Sequence, residues 1–270
     1  MQHVSDRGQL PQPYRIVEIR EENPTVRSLC LEGTAINSIA MVLKPGQFVM
    51  AWLPGIDEKP FSPSCAKPLT LTVTRVGPFT TAMHQLSVGD TIWLRGPFGR
   101  GFSLDRQLGS SQKEIMLVGG GCGAAPLLAL AHAARQAGQR VLVVLGARTA
   151  DGLFFQDQYT KLGCHVLVST DDGSAGEQAT SVQIAASLLS RKSAAIDALY
   201  ACGPAPMLDA VYELAQAHNL PVQLSYEAYI RCGIGVCGSC AIGGCLVCRD
   251  GPVFQRPPDA IQRHPWTGNK

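Results

Sequence analysis

The sequence predicts a multidomain α/β plus β protein. An antiparallel β-barrel (residues 1–108) comes first, then a parallel-sheet α/β domain (109–224) and a small C-terminal cysteine-loop domain (225–270). Three observations carry this. Short alternating strands broken by proline–glycine turns fill the first hundred residues. Apolar strands alternating with helical periods follow. Five of the ten cysteines then crowd residues 232–248.

In the first stretch, residues 14–19 alternate polar and apolar side chains, as a half-buried strand requires. Residues 27–32, 47–53, 69–76 and 91–95 read as further strands. The breaks carry Pro45-Gly46, Pro54-Gly55, Gly77-Pro78 and Gly89-Asp90, which is turn chemistry. No helical period stands between these strands, so a small barrel or sandwich is expected. Taken alone, Lys59-Pro60-Phe61-Ser62 and Gly77-Pro78-Phe79-Thr80 read as turns, and residues 95–102 as a glycine–proline loop.

From about Glu114 the period changes. Residues 115–118, 140–145, 164–169 and 198–202 are apolar strands, alternating with helical stretches at 126–136, 153–162, 181–189 and 207–218. Met207, Leu208, Val211, Leu214 and Ala215 share one helix face. Such strands require a parallel sheet covered on both faces. The third stretch, from about Ser225, is too short to build a core and needs a metal or a neighbouring domain to hold it.

Composition narrows the function. The chain of 270 residues is 46% hydrophobic and only 16% charged, which excludes disorder. A net charge of +2 gives no broad basic face, so nucleic acid is not an expected partner. The longest apolar stretch, 115–134, is interrupted by Gly119-Gly120-Gly121, Gly123 and Pro126, and reads as strand, turn and helix rather than a membrane span. Residues 1–6 hold no signal-peptide core, so a cytoplasmic protein is expected. Ten cysteines there point to metal or redox chemistry instead of disulfides. Cys30, Cys65, Cys122, Cys164 and Cys202 are scattered singly, as small buried side chains are.

Cys232, Cys237 and Cys240 are spaced by four residues and then two, the spacing of the plant-type [2Fe–2S] loop. Gly233, Gly235 and Gly238 let the backbone approach such a cluster. Cys248 or Cys245 can supply the fourth thiolate. Zinc is the competing reading, since 237–240 and 245–248 form two CxxC knuckles, but zinc leaves Cys232 unexplained.

Gly119, Gly121 and Ala124 fit a dinucleotide turn between strand and helix, which places Gly120, Gly121 and Gly123 at a pyrophosphate. The acid expected at the end of the next strand is absent, and Leu145-Gly146-Ala147-Arg148 stands there. Asp171 and Asp172, after the third strand, can bind ribose hydroxyls and repel a 2′-phosphate, favouring NADH over NADPH. Cys202-Gly203-Pro204 with Met207 can present a nicotinamide-facing edge. Neither a Ser/His/Asp set nor an HExxH zinc site is present, and no residue is assigned acid–base catalysis.

The order of these pieces resembles the ferredoxin–NADP reductase superfamily, and within it the electron-transfer subunits of class 1B dihydroorotate dehydrogenases. The most specific part is the tail, where C-G-I-G-V-C-G-S-C is followed by Cys248-Arg249-Asp250-Gly251-Pro252-Val253-Phe254. This second piece is similar to the family's C-x-D-G-P-V-F ending, which implies Cys248 as fourth ligand. The resemblance implies FAD on the barrel. The family's R-P-x-S motif falls on Lys59, Pro60, Phe61 and Ser62, with Ser62 near flavin N5. The next flavin-contacting strand falls on Thr72, Val73 and Thr74, and the pyrophosphate turn on Phe79 and Thr80. Lysine at 59 keeps the charge of the family's arginine but loses its fork.

The resemblance also implies the work done. Dihydroorotate is oxidised at FMN in a separate catalytic subunit, and electrons pass through [2Fe–2S] and FAD to NAD(H), within a heterotetramer that serves pyrimidine biosynthesis. The alternatives are a diaphorase subunit of a hydrogenase or ferredoxin-dependent complex, and a zinc-stapled binding module.

Overall fold

A computed structural model describes residues 10–33, 39–104, 114–190 and 196–258. The expected boundary at 108/109, the opening residues 1–6 and the end of the third domain lie outside the described residues.

Alternation builds the first sheet. β1 (Gln12–Asn23) turns Tyr14 and Ile16 inward and Arg15, Glu18, Arg20 and Glu21 outward. It pairs antiparallel with β2 (Val26–Gly33) and with β7 (Thr91–Phe98). With β3 (Phe48–Leu53), β4 (Asp57–Phe61), β5 (Cys65–Ala66) and β6 (Leu69–Thr74), the order is β4-β3-β7-β1-β2-β6-β5, antiparallel throughout. One apolar core lies inside it, with Ile16, Leu29, Val49, Leu71, Val73, Ile92 and Leu94 all fully buried.

Three expectations fail in this sheet, the first because residues 95–98 continue strand β7 rather than opening a glycine–proline loop. Residues 59–61 form strand β4 rather than a turn. Pro60 is tolerated because β4 is an edge of the sheet, where a missing N–H costs no ladder bond. The stretch also contains helices: α1 (Ile39–Val42) and α2 (Pro78–His84). α2 starts on a proline, and the Thr80 hydroxyl accepts from the Gly77 N–H, so Phe79 and Thr80 lie in a first helical turn.

The second sheet has order β11-β10-β9-β8-β12-β13-β16. Its parallel strands are β8 (Glu114–Gly120), β9 (Arg140–Ala147), β10 (His165–Thr170), β11 (Glu177–Gln178), β12 (Ile196–Cys202) and β13 (Val222–Ser225). α3 (Ala124–Gln136) and α4 (Gln156–Lys161) pack on one face, α5 (Ser181–Ser190) and α6 (Ala205–Ala217) on the other. The helix expected at 153–162 starts only at Gln156, because Leu153, Phe154 and Phe155 are buried in the α3 core and Phe155 turns left-handed at φ 72°.

β16 (Val253–Phe254) comes from the third segment and adds an antiparallel strand beside β13. The sheet is therefore mixed, where parallel pairing alone was expected. The rest of that segment, with β14 (Ala241–Ile242), β15 (Cys245–Leu246) and α7 (Val247–Asp250), packs against the first sheet. Phe48, Met50 and Phe98 share one core with Ile230, Cys240, Val247 and Cys248. The cysteine segment is thus held by both larger units. Among the described residues, no helix is long and apolar enough to cross a membrane.

Candidate functional site

All ten cysteines are free thiols. In the loop at 232–248 Cys232 adjoins Cys237 and Cys240 adjoins Cys248. Among the described residues, no three metal-ligating side chains gather closely enough to hold a single metal ion. Gly233, Gly235 and Gly238 take φ of 75°, 79° and 74°, which bends the backbone around the thiols. N–H groups then point at sulfur: Val236 donates to Cys232 Sγ (3.4 Å), Gly235 to Cys248 Sγ (3.2 Å) and Cys248 to Cys240 Sγ (3.5 Å). The Cys237 thiol meets the Ser239 hydroxyl at 2.9 Å.

Burial pushes the Cys232 thiol up, but hydrogen bonds from Cys237, Ile234 and Val236 outweigh it and bring it down to about 6. Burial and the adjoining Cys240 thiol push Cys248 up to about 12. Such thiols, crowded and provided with N–H donors, fit an iron–sulfur cluster, whose sulfurs take those hydrogen bonds. Cys240 and Cys248 are buried, whereas Cys237 is exposed beside Val236 and Ile234. Cys245, on β15, is half-buried and receives no such N–H.

A second convergence joins the two sheets. Thr72 and Thr74 leave the outer face of β6, opposite the buried Val73. The Thr72 hydroxyl meets Ser28 (3.0 Å) and Ser64 (2.9 Å), and Thr74 Oγ1 meets Cys122 Sγ at 3.1 Å. Ser62 follows β4 and is half-buried. Lys59 pairs with Asp57 at 2.5 Å and lies 5.8 Å over the Tyr229 ring. Phe79 is in the first core, 6.1 Å from Phe61. Thr80 spends its hydroxyl on the N–H groups of Val76 and Gly77.

The glycine turn and the Cys202-Gly203-Pro204 turn press together at the C-terminal ends of β8 and β12. A Cβ on Gly123 would overlap the Cys202 carbonyl, and one on Gly120 would lie 2.7 Å from Met207 Sδ. Gly203 is equally tight against Met207. These three glycines therefore serve the packing of one turn on another. Gly121, at φ 52°, faces open space. Asp171 is exposed at the end of β10, and Asp172 is drawn down by hydrogen bonds from Ser174.

Sequence reasoning missed four residues here. Glu227, after β13, keeps exposed surface while burial raises its carboxyl, as expected for a side chain lining a crevice. Burial pushes up the thiols of both Cys122 and Cys202, the latter to about 12, and the Glu227 charge adds a smaller push to each. Arg95 donates to Glu58 and to the Cys232 carbonyl, 137 residues away in sequence. Contacts so distant along the chain leave no local signal.

A family model described as "Oxidoreductase NAD-binding domain" matches residues 117–213. One described as "Iron-sulfur cluster binding domain of dihydroorotate dehydrogenase B" matches residues 227–257. A Methanocaldococcus jannaschii protein named "Probable dihydroorotate dehydrogenase B (NAD(+)), electron transfer subunit" is 40% identical, covering 89% of this chain and 88% of its own. The chain belongs to this family of electron transfer subunits. A Thermococcus kodakarensis relative of the same name is 44% identical over 78% of this chain and 84% of its own. Among solved structures, the NADH-dependent reduced ferredoxin-NADP oxidoreductase described for flavin-based electron bifurcation superposes with a TM-score of 0.77. It is 27% identical and the match covers 93% of this chain and 92% of that one. The ferredoxin reductase of carbazole 1,9a-dioxygenase, at TM-score 0.65 and 21% identity, covering 80% of this chain and 68% of its own, shares the fold. As a family member the chain is an oxidoreductase electron-transfer subunit, with FAD, a [2Fe–2S] cluster and NAD(H) as its cofactors.

Proposed function

We propose that this subunit takes electrons from an FMN-containing dihydroorotate dehydrogenase catalytic subunit and delivers them to NAD⁺, in the cytoplasm, as part of a heterotetramer. The observation that carries it is the cysteine segment at 232–248, with Cys240 and Cys248 buried against the first sheet and Cys237 exposed with Val236 and Ile234 toward an incoming partner.

Three functional units follow the chain. Residues 1–108, read as a flavin-binding barrel, offer the Thr72 and Thr74 hydroxyls along the outer face of β6, and Ser62 after β4. Residues 109–224 offer Gly121 and Asp171 to the dinucleotide. Residues 225–270 hold the cluster through Cys232, Cys237, Cys240 and Cys248. FAD, when bound, links single-electron delivery from the cluster to hydride transfer with NAD⁺. The chain's own residues hold, orient and shield. N–H groups of Gly235, Val236 and Cys248 face the sulfurs. Gly120, Gly123 and Gly203 close the two turns upon each other. The protein supplies binding and electrostatics, and no acid–base group need act on the substrate here.

Co-expression with the FMN-containing catalytic subunit tests the reading. The two chains are expected to co-purify, and only the complex should reduce NAD⁺ with dihydroorotate. A catalytic subunit that reduces NAD⁺ equally well alone contradicts it.

A further inference from the structure

Arg95 leaves β7 with its side chain only 12% exposed, and it has three jobs at once. Nε and Nη2 form a fork on the two Glu58 oxygens at 2.6 and 2.7 Å. Nη1 donates to the Cys232 carbonyl at 2.7 Å. The guanidinium also lies 5.3 Å from the Phe98 ring centroid. Glu58 belongs to β4, two residues before Pro60, so this one cation connects the flavin strand to the first thiol of the cluster loop.

The loop is tightly seated at that point. Gly233 follows Cys232 with φ 75°, and a Cβ there would stand 3.2 Å from both Met50 and Phe98. With the Cys232 carbonyl fixed by Arg95, the chain turns at Gly233 and the Val236 N–H reaches Cys232 Sγ. A fork of this kind fixes orientation better than a single point charge.

We propose that Arg95 and Glu58 form a charge-balanced clamp that positions the cluster loop and sets how readily its cluster accepts an electron. This rests on the ligand set proposed above. Reduction adds one negative charge to the cluster. A nearby, half-desolvated guanidinium favours that state and the carboxylate opposes it. Paired, the two nearly cancel; removing either uncovers the other. The two single variants therefore act in opposite directions, which a loss of packing would not produce.

The test is a redox titration of the full, cofactor-replete chain, following the reduced cluster by electron paramagnetic resonance, with iron and sulfide content measured alongside. At the wild-type midpoint, Arg95→Gln is expected to lower the reduced-to-oxidised ratio about tenfold. Glu58→Gln is expected to raise it about tenfold, and the double variant to return toward wild type. Arg95→Lys keeps the charge and should hold the ratio close to wild type even if Arg95→Gln loses iron. Shifts of the same sign in both Gln variants, or no shift in Glu58→Gln with iron intact, overturn the clamp. A wild-type chain that binds no cluster overturns the ligand set instead.

Discussion

The Thr74 hydroxyl lies 3.1 Å from the Cys122 thiol, across 48 residues of sequence and between two sheets. This contact fixes the outer face of β6 against the glycine turn, where the flavin and dinucleotide readings meet. Thr74→Val and Cys122→Ala should each slow reduction of the flavin by NADH, by about tenfold for a displacement well under an ångström. Stopped-flow bleaching measures this, with iron content expected to stay unchanged. An unaltered rate would separate this contact from the cofactors.

Cys248 and Cys245 are told apart by their surroundings. Cys248 is buried and accepts from the Gly235 N–H at 3.2 Å, while Cys245 is half-buried on β15. Cys248→Ser is expected to lose most of the iron and sulfide, and Cys245→Ser to keep both. Metal and acid-labile sulfide assays on the purified variants decide it, and the reverse pattern would reassign the fourth ligand.

Gly123 has backbone as its neighbour, so a methyl group there finds nothing that can give way. Gly123→Ala should destabilise the fold by about 2–3 kcal/mol. At Gly121, where space is open and φ is 52°, alanine should cost only about 1 kcal/mol. Denaturant unfolding of both variants, followed by far-UV circular dichroism, gives the comparison.

What the sequence made legible, and what it hid, divides along the length scale of the signal. The alternation of β1 and β6 and the apolar runs of β8 and β9 are local patterns, and they appear where expected. β4 was hidden because Pro60 and the charged residues around it look like a turn, and only its edge position allows it to be a strand. Leu153–Phe155 have a helical apolar spacing, but burial under α3 overrides it. The cysteine spacing was readable because one short loop supplies three of the four thiols. Arg95, Glu58, Cys122 and Glu227 act through partners remote in sequence. The joining of β16 to the second sheet is likewise non-local.

Burial raises the Glu227 carboxyl above its ordinary value. A raised carboxyl favours the folded state below the ordinary carboxylate range, and that advantage is lost as pH climbs through its folded value. Glu227→Gln escapes the loss. Its melting temperature relative to wild type should therefore rise as pH climbs above the ordinary carboxylate range of about 4 and level off once the raised carboxyl is fully ionised. A difference independent of pH would contradict the raised carboxyl.

Asp171 and Asp172 stand at the exposed end of β10. Replacing both by alanine removes the repulsion toward a 2′-phosphate, and the ratio of kcat/KM for NADPH to that for NADH should rise about tenfold. Equal use of the two cofactors by the wild-type chain would remove the role assigned to these carboxylates.

The relay itself is tested most directly by the anaerobic visible spectrum of the purified, cofactor-replete subunit before and after NADH. Flavin bands together with broad thiolate–iron absorption, both bleached by NADH, are the expected result. A sample that stays colourless and indifferent to NADH despite flavin and iron supply during expression would contradict the relay, and the cysteine loop would then be better explained by zinc.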